Sequence, residues 1–493
     1  MKKLNLYTIV VLSTLAFSAC DKELSTPPPN AKVNGTAVID AKSAQVTLNG
    51  VYYRFSNSSN TIADWTGYNI GPAQLTGMIG YQAGDAEPLE TNVNIAQSDV
   101  RYIPGYWSTS YQLLSAANGF IDGLNKLSDA AFAVPARKAE MMAEARFLRA
   151  YAHHKLLIFF SEWKDLNSSE GVLLRNELGT VSTAVKKRNT VAESYSSILE
   201  DLDYAVANGS TTNPNHYVNK YAAMSLQARV LLTRGQPADI AKALSLTNAI
   251  IGSGKYTLEA SLKNIFYAKG MTSTEVILGI RPQPGQETQR EIQSNYYRTA
   301  GAASYGYAAR PLFKNLLAST NDPRAAWMVG EAVVFNGARP EGSYFTKFGA
   351  FPAALPTQLS ETQYAIRLSE VYLMRAEALA RSGGSLADAR NDIKLVMSKS
   401  GAFTAQNTAG VDAAVTPEEV WKQAYYETLR NLTGEDAIAW QALIRFPLNT
   451  ITALRPTITS INQLWFGVPV SEFQVNPLFG LQNDGGYPIT SGF

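Results

Sequence analysis

Apolar residues recur along most of this chain at helical spacing. Between Glu140 and Phe160, the residues Phe147, Tyr151, His154 and Ile158 fall at i, i+4, i+7 and i+11, one face of a helix. Ile366 to Arg381 is more regular still. There Leu368, Val371, Tyr372, Arg375 and Leu379 form one stripe, and Ser382-Gly383-Gly384 stops it. Asn219 to Arg234 repeats the pattern and stops at Gly235. These last two segments superpose in register: Tyr221 on Leu368, Met224 on Val371, Leu226 on Leu373, Leu232 on Leu379 and Arg234 on Arg381. Each is followed by a second helical pattern, at 238–251 and 386–397. Two helical hairpins with small-residue turns predict tetratricopeptide-like units, which stack to bury their apolar faces. The expected fold is mainly α: a scaffold of such hairpins, with long loops and few short strands.

Three segments break the helical period. Residues 57–94, 283–307 and 335–356 are rich in Gly, Asn, Gln, Ser and Tyr, and read as long ordered loops with occasional short strands. Loops of that length in a compact domain usually carry function. The chain holds 25 Tyr and 7 Trp while only 17% of it is charged, an excess that serves either packing or a binding surface. A ligand site combines an apolar or aromatic lining with a few placed hydrogen-bonding groups. The first loop offers Trp65, Tyr68 and Tyr81, with Asn69, Gln74, Asp85 and Glu87 nearby. The second offers Tyr296, Tyr297, Tyr305 and Tyr307, with Gln293, Asn295 and Arg298, and Trp327 follows. Any one of them can equally be a packing residue; the loops together point to ligand contact. Trp107, Trp163, Trp421 and Trp440 lie in or beside helices and are assigned to the core.

The chain starts with Met1-Lys2-Lys3 and an apolar run from Leu4 to Phe17, followed by Ser18-Ala19 and the only cysteine, Cys20. The run is too short for a stable membrane span and reads as a removed signal. A cysteine directly after small residues suits a bacterial lipoprotein, and two or more acyl chains give stable attachment. The organisation expected is a signal peptide over 1–19, then lipidated Cys20 with a tether through Pro27-Pro28-Pro29 over 20–35. A single domain over 36–493 follows. No internal disulfide can form, so the fold must stand on its core. Removing residues 1–19 takes Lys2 and Lys3 from the 43 basic residues and leaves 41 against 41 acidic ones. That balance argues against nucleic acid or anionic lipid as the main partner.

Enzyme signatures are missing. His153 and His154 are adjacent on a helix and point about 100° apart, so core packing is the expected role. His216 stands by itself in the sequence. There is no His-Glu-x-x-His and no Gly-x-Ser-x-Gly. Gly252-Ser-Gly-Lys255 lacks the hydroxyl residue a P-loop needs and reads as a helix-ending loop. Asp201 and Asp203, beside Glu200, read as a solvated helix face. Arg375 and Arg146 touch apolar stripes and must be paired, so they read as braces. No cofactor is expected, and calcium held by scattered ligands would leave no spacing signature.

Several stretches resemble the SusD/RagB family of Bacteroidetes outer-membrane lipoproteins. They are Glu144-Ala-Arg-Phe-Leu-Arg-Ala-Tyr151, Tyr364-Ala-Ile-Arg-Leu-Ser-Glu-Val-Tyr-Leu-Met-Arg-Ala-Glu-Ala-Leu379, and Val468-Pro-Val-Ser-Glu472 leading to Asn476-Pro-Leu478. Asn321-Asp-Pro-Arg324 and Tyr195 to Leu202 are similar as well, and the set keeps the family's order over nearly the whole mature chain. The resemblance implies a non-enzymatic, surface-exposed lipoprotein. It would capture an oligosaccharide or polysaccharide and act as a lid on a SusC-like TonB-dependent porin. Two places depart from the family pattern: Ser161-Glu-Trp-Lys164 after the long helix, and a degenerate late helix at Tyr426 to Arg430 with Gly434-Glu435-Asp436. Rival readings are the same transport role for a peptide or other non-glycan ligand, and a helical-repeat scaffold that binds protein alone.

Overall fold

The structure is a computed structural model and describes residues 37–56, 65–81, 103–280, 307–330, 343–348 and 357–483. The longer helices that open the described fold are α1 (Ala41–Ser56), α2 (Trp65–Leu75), α3 (Ile103–Asn125), α4 (Ala136–Phe160) and α5 (Val191–Asn208), with strand β1 (Ile79–Tyr81) between α2 and α3. Two helical hairpins follow, α6 (Lys220–Arg234) with α7 (Pro237–Gly252), and α8 (Leu368–Arg381) with α9 (Leu386–Lys399). Five strands lie between the hairpins: β2 (Val276–Ile280), β3 (Tyr307–Ala309), β4 (Val329–Gly330), β5 (Ser343–Phe345) and β6 (Gln363–Arg367). Late in the chain come α10 (Pro417–Leu432), α11 (Ile438–Ile444) and α12 (Val470–Val475).

Local chemistry explains where the helices begin. Asn219 accepts the amide hydrogens of Tyr221 and Ala222 and so caps α6. Thr190 with Glu193, and Thr416 with Glu419, form reciprocal capping boxes on α5 and α10. Pro237 and Pro417 stand at first-turn positions, where a missing N–H costs nothing. Apolar packing then orders the helices in space. α4 lies between α3 and α5, α5 leans on α6, and α7 packs on α8, so the two hairpins stack as the repeat predicted. The matched arginines mark the same turn in each unit. Arg234 pairs with Asp239, while Arg381 pairs with Glu377 and donates to the Leu232 carbonyl of the neighbouring hairpin at 2.9 Å.

Gly235 closes α6 at φ +74°, and a β-carbon there would lie 2.9 Å from Arg381 Nη2. Gly235→Ala should therefore lower stability by about 1–2 kcal/mol, the cost of a side chain in the left-handed region. Gly252→Ala, where φ is ordinary and nothing lies within 4 Å, should cost nothing. Urea unfolding of both variants checks the contrast.

Three sequence expectations need correction. Residues 65–75 form a helix, not a loop, despite Gly67, Gly71 and Pro72: Asn69, Ile70, Ala73, Gln74 and Leu75 are all buried, and tertiary packing overrides weak propensity. The helix expected over Ile366–Arg381 begins at Leu368, because Gln363–Arg367 is a strand that pairs antiparallel with β2 and is buried on both faces. Asp201 is not solvated. It is buried and takes a two-pronged contact from Arg149, at 2.7 Å on each oxygen, with Arg146 also at 2.9 Å. Asp203 and Glu200 do face solvent. Arg375 is tied to Asp392 of the second hairpin helix, the bracing role expected of it. Trp107, Trp163 and Trp440 are core residues. Trp421 is half-buried and stacks on Phe446 at 3.9 Å. Among the described residues no helix is long and apolar enough to cross a membrane.

Candidate functional site

A small sheet joins the three segments that broke the helical pattern. Its strand order is β1-β3-β5-β4. Tyr81 stands opposite Tyr307, and Ala308 opposite Tyr344. By this register the end of β1 at Tyr81 and the start of β3 at Tyr307 lie at the same end of the sheet. Residues 331–342 connect β4 to β5. The sheet itself is covered: Tyr307, Ala308, Ala309, Tyr344 and Phe345 are all buried, so both of its faces are packed. Its part is to fix where the loops start.

The predicted ligand residues, with the lipidation site Cys20, fall into three groups. Trp65 and Tyr68 lie in the first turn of α2, and Tyr81 ends β1. Cys20, Asp85, Tyr296, Tyr297, Arg298 and Tyr305 lie outside the described residues. Trp327 is half-buried, 6.2 Å from the Phe266 ring and edge-on to Tyr267 at 5.8 Å. Its short helical turn, Ala325–Met328, starts directly after Arg324. Arg324 is fully buried and forks onto Asp322 (2.9 and 2.7 Å) and Glu427 (2.6 and 2.9 Å). The Tyr267 hydroxyl donates to the Thr346 carbonyl at 2.6 Å, and burial pushes that hydroxyl up to about 12.

Three neighbours taken for ligand contacts are structural instead. Tyr307 is buried in β3. Gln74 is buried in α2, and Asn69 is a buried tie: it donates to Gln363 and accepts the Asp436 amide hydrogen at 2.9 Å.

That tie leads to charged groups missed in the sequence. The turn Gly434-Glu435-Asp436-Ala437 passes through the left-handed region at Gly434, Asp436 and Ala437 (φ 80°, 40° and 60°). A β-carbon on Gly434 would crowd Phe345 and Phe348. The turn gives its two carboxylates different partners. Glu435 accepts from Arg367 at 2.7 and 2.8 Å and from Lys347, the second residue after β5. Asp436 accepts from Lys155 at 2.7 Å, Arg229 at 2.6 Å and the Tyr151 hydroxyl. Arg229 also grips Glu370 at 2.8 Å through two nitrogens. Burial alone would raise the Glu435 carboxyl, but Arg367 and Lys347 more than offset it and hold it below the usual carboxylate range. The sheet that roots the loops is thus tied by buried charge to both repeat hairpins. A signal was present in the sequence: Lys155, Arg229, Glu370 and Arg367 interrupt otherwise apolar stretches, and a buried charge must be paired.

His153 and His154 are fully buried in α4, and His216 lies against Tyr217 at 4.6 Å. Among the described residues no group of three His, Cys, Asp or Glu side chains is placed to hold a metal ion. Asp201 is committed to two arginines, Arg146 and Arg149.

Comparison with known proteins gives a consistent result. Residues 76–232 match a family described as "Starch-binding associating with outer membrane", and residues 293–445 match one described as "SusD family". A SusD-like protein of Bacteroides ovatus is 22% identical over 421 residues, spanning 78% of this chain and 73% of that one. Among solved structures, a SusD superfamily protein of Bacteroides thetaiotaomicron superposes with a TM-score of 0.72 at 20% identity, covering 90% of this chain and 100% of that one. A laminarin-binding SusD-like protein gives 0.70 at 17% identity, covering 90% and 99%. NanU of B. fragilis gives 0.71 at 15%, covering 92% and 99%. At these identities the superpositions speak for the fold.

Proposed function

The chain belongs to the SusD/RagB family, and on that premise we propose that it binds oligosaccharide at the cell surface and delivers it to a SusC-like TonB-dependent porin. The observation that carries this reading is the small sheet on which these segments meet. Segments rich in Tyr, Trp, Asn and Gln each contribute a strand to it, with Tyr81 opposite Tyr307, and Trp327 sits on the turn that the buried Arg324 braces. Binding surfaces built on loops over a fixed scaffold are the common arrangement. A neutral, amide- and aromatic-rich surface suits uncharged sugar, and a relative of the same fold is named for binding laminarin.

In this reading Trp65, Tyr68 and Trp327 supply ring faces, while Tyr81, Asp85, Tyr296, Tyr297, Arg298 and Tyr305 complete the surface. Lipidated Cys20 and the Pro27–Pro29 tether keep the domain at the outer membrane, where the porin partner receives the ligand. The protein captures and hands over; it cleaves nothing.

A polysaccharide affinity screen of residues 21–493, laminarin included, should give at least one hit. Trp65→Ala and Tyr68→Ala should each weaken that hit roughly tenfold, about 1.4 kcal/mol, in isothermal titration. Their unfolding midpoints should stay near wild type. Unchanged affinity in both variants removes the first loop from the site.

A further inference from the structure

We propose that one water molecule is a fixed part of this protein, bound in a small recess lined by α8, α10 and α11. The helices leave a cavity of ≈ 10 Å³ beside the Arg229–Glu370 pair. That is room for about one water. Whether such a space is wet or dry depends on its walls: an apolar cavity stays empty, and a polar one with two or more partners holds water.

The walls here are partly polar. Gln441 is completely buried and lines the cavity. Its Nε2 donates to the Asp436 carbonyl at 3.2 Å. This bond fixes the amide, because a flipped amide would set two oxygens against each other. Gln441 Oε1 then has no hydrogen-bond partner in the protein. A buried acceptor left in that state costs about 1–3 kcal/mol. Arg445, on the same wall, commits Nε and Nη2 to Glu377. Among the described residues its Nη1 makes no hydrogen bond. Thr428 Oγ1 donates to the Ala424 carbonyl at 2.9 Å and keeps acceptor capacity. One water donates to Gln441 Oε1 and accepts from Arg445, with Thr428 as a further acceptor.

Charge selects water over an ion. Arg229 and Arg445 on the wall are balanced by Glu370 and Glu377, and each carboxylate already grips an arginine. A chloride or a metal cation would meet no net opposite charge there. The bound water joins the second repeat hairpin, through the arginine that Glu377 holds, to the helix following the strained 434–437 turn. It is independent of what the loops bind.

A crystal structure of the wild-type protein at about 2 Å tests this directly. The expected result is a single peak of density within roughly 2.7–3.2 Å of Gln441 Oε1. An empty cavity, or Oε1 turned onto a protein donor, overturns the proposal. Magnetic relaxation dispersion of water in solution provides the second measurement. Gln441→Met keeps the side-chain length and removes the acceptor, so the count of long-lived internal waters should drop by one. An unchanged count overturns the assignment of Gln441 as the group that holds the water.

Discussion

Asp436→Asn should lower the free energy of unfolding by about 3–5 kcal/mol, the usual cost of removing one partner from a buried ion pair. The substitution hardly changes shape. It removes the carboxylate that faces two buried cations, Lys155 and Arg229, both almost fully enclosed. Arg229 retains Glu370, but one carboxylate then faces two positive charges in a medium that screens poorly. The damage should spread, because the same residue accepts from Tyr151 of α4 and donates its amide hydrogen to Asn69 of α2. Urea titration should show a lower midpoint at unchanged slope. Glu200→Gln is the contrast. Glu200 is mostly exposed and meets Arg146 at 3.2 Å, so that loss should stay within about 1 kcal/mol. A loss below 1 kcal/mol for Asp436→Asn would mean that the 434–437 turn does not tie the sheet to the hairpins.

Acid should destabilise the protein well before its carboxylates titrate, because α4 buries two adjacent histidines. Burial, with Arg149 and Lys186 adding to it, holds His153 down to about 3. Its Nε2 accepts the Arg175 amide hydrogen at 3.2 Å, which requires the neutral ring. His154 is also pushed well below its ordinary value, first by burial and then by Lys155, Arg229 and Arg445, and neither of its nitrogens has a hydrogen-bond partner. Both folded values lie below the unfolded value near 6.5. The unfolded chain therefore binds more protons as pH falls. The stability that the neutral rings contribute is complete above pH 6.5 and is lost progressively towards pH 3. From pH 7 to pH 5 the loss should be about 2 kcal/mol for each histidine. Denaturant titrations at the two pH values measure the sum. His153→Gln should reduce the difference by about half, whatever it does to stability at pH 7. A variant with the wild-type pH dependence would remove His153 from this account.

Much of the fold was legible because helices record themselves locally. The stripe Leu368, Val371, Tyr372, Arg375, Leu379 and its counterpart from Tyr221 to Arg234 carry both the helical period and the stops at Gly235 and Gly383. The stacking of α7 on α8 followed from them. Elements stabilised from a distance were not legible. Trp65–Leu75 carries two glycines and a proline, and its helix exists because Asn69, Ile70 and Gln74 are buried against other parts of the chain. Ile366 and Arg367 looked like the start of a helix because the strand they end, Gln363–Arg367, is buried on both faces and lacks the alternation that usually marks one.

The candidate site divides in the same way. Its composition was visible in the sequence: aromatic and amide side chains concentrated in 57–94, 283–307 and 335–356, and Cys20 after a signal-like run. The meeting of those segments was not, since no local pattern sets Tyr81 opposite Tyr307 or Tyr344 opposite Ala308. Nor could spacing separate Asn69 from Tyr68. One is a buried tie to Asp436 and the other remains a candidate contact, because burial is a property of the assembled fold. By itself the sequence determined the helical scaffold, the family and the chemistry of the loops, all of which depend on neighbouring residues or on residue type. Only the tertiary structure decided how Glu435 and Asp436 pair, that Asp201 is enclosed rather than solvated, and where the loops are anchored. Each of these depends on residues tens to hundreds of positions apart, brought together when the apolar faces are buried.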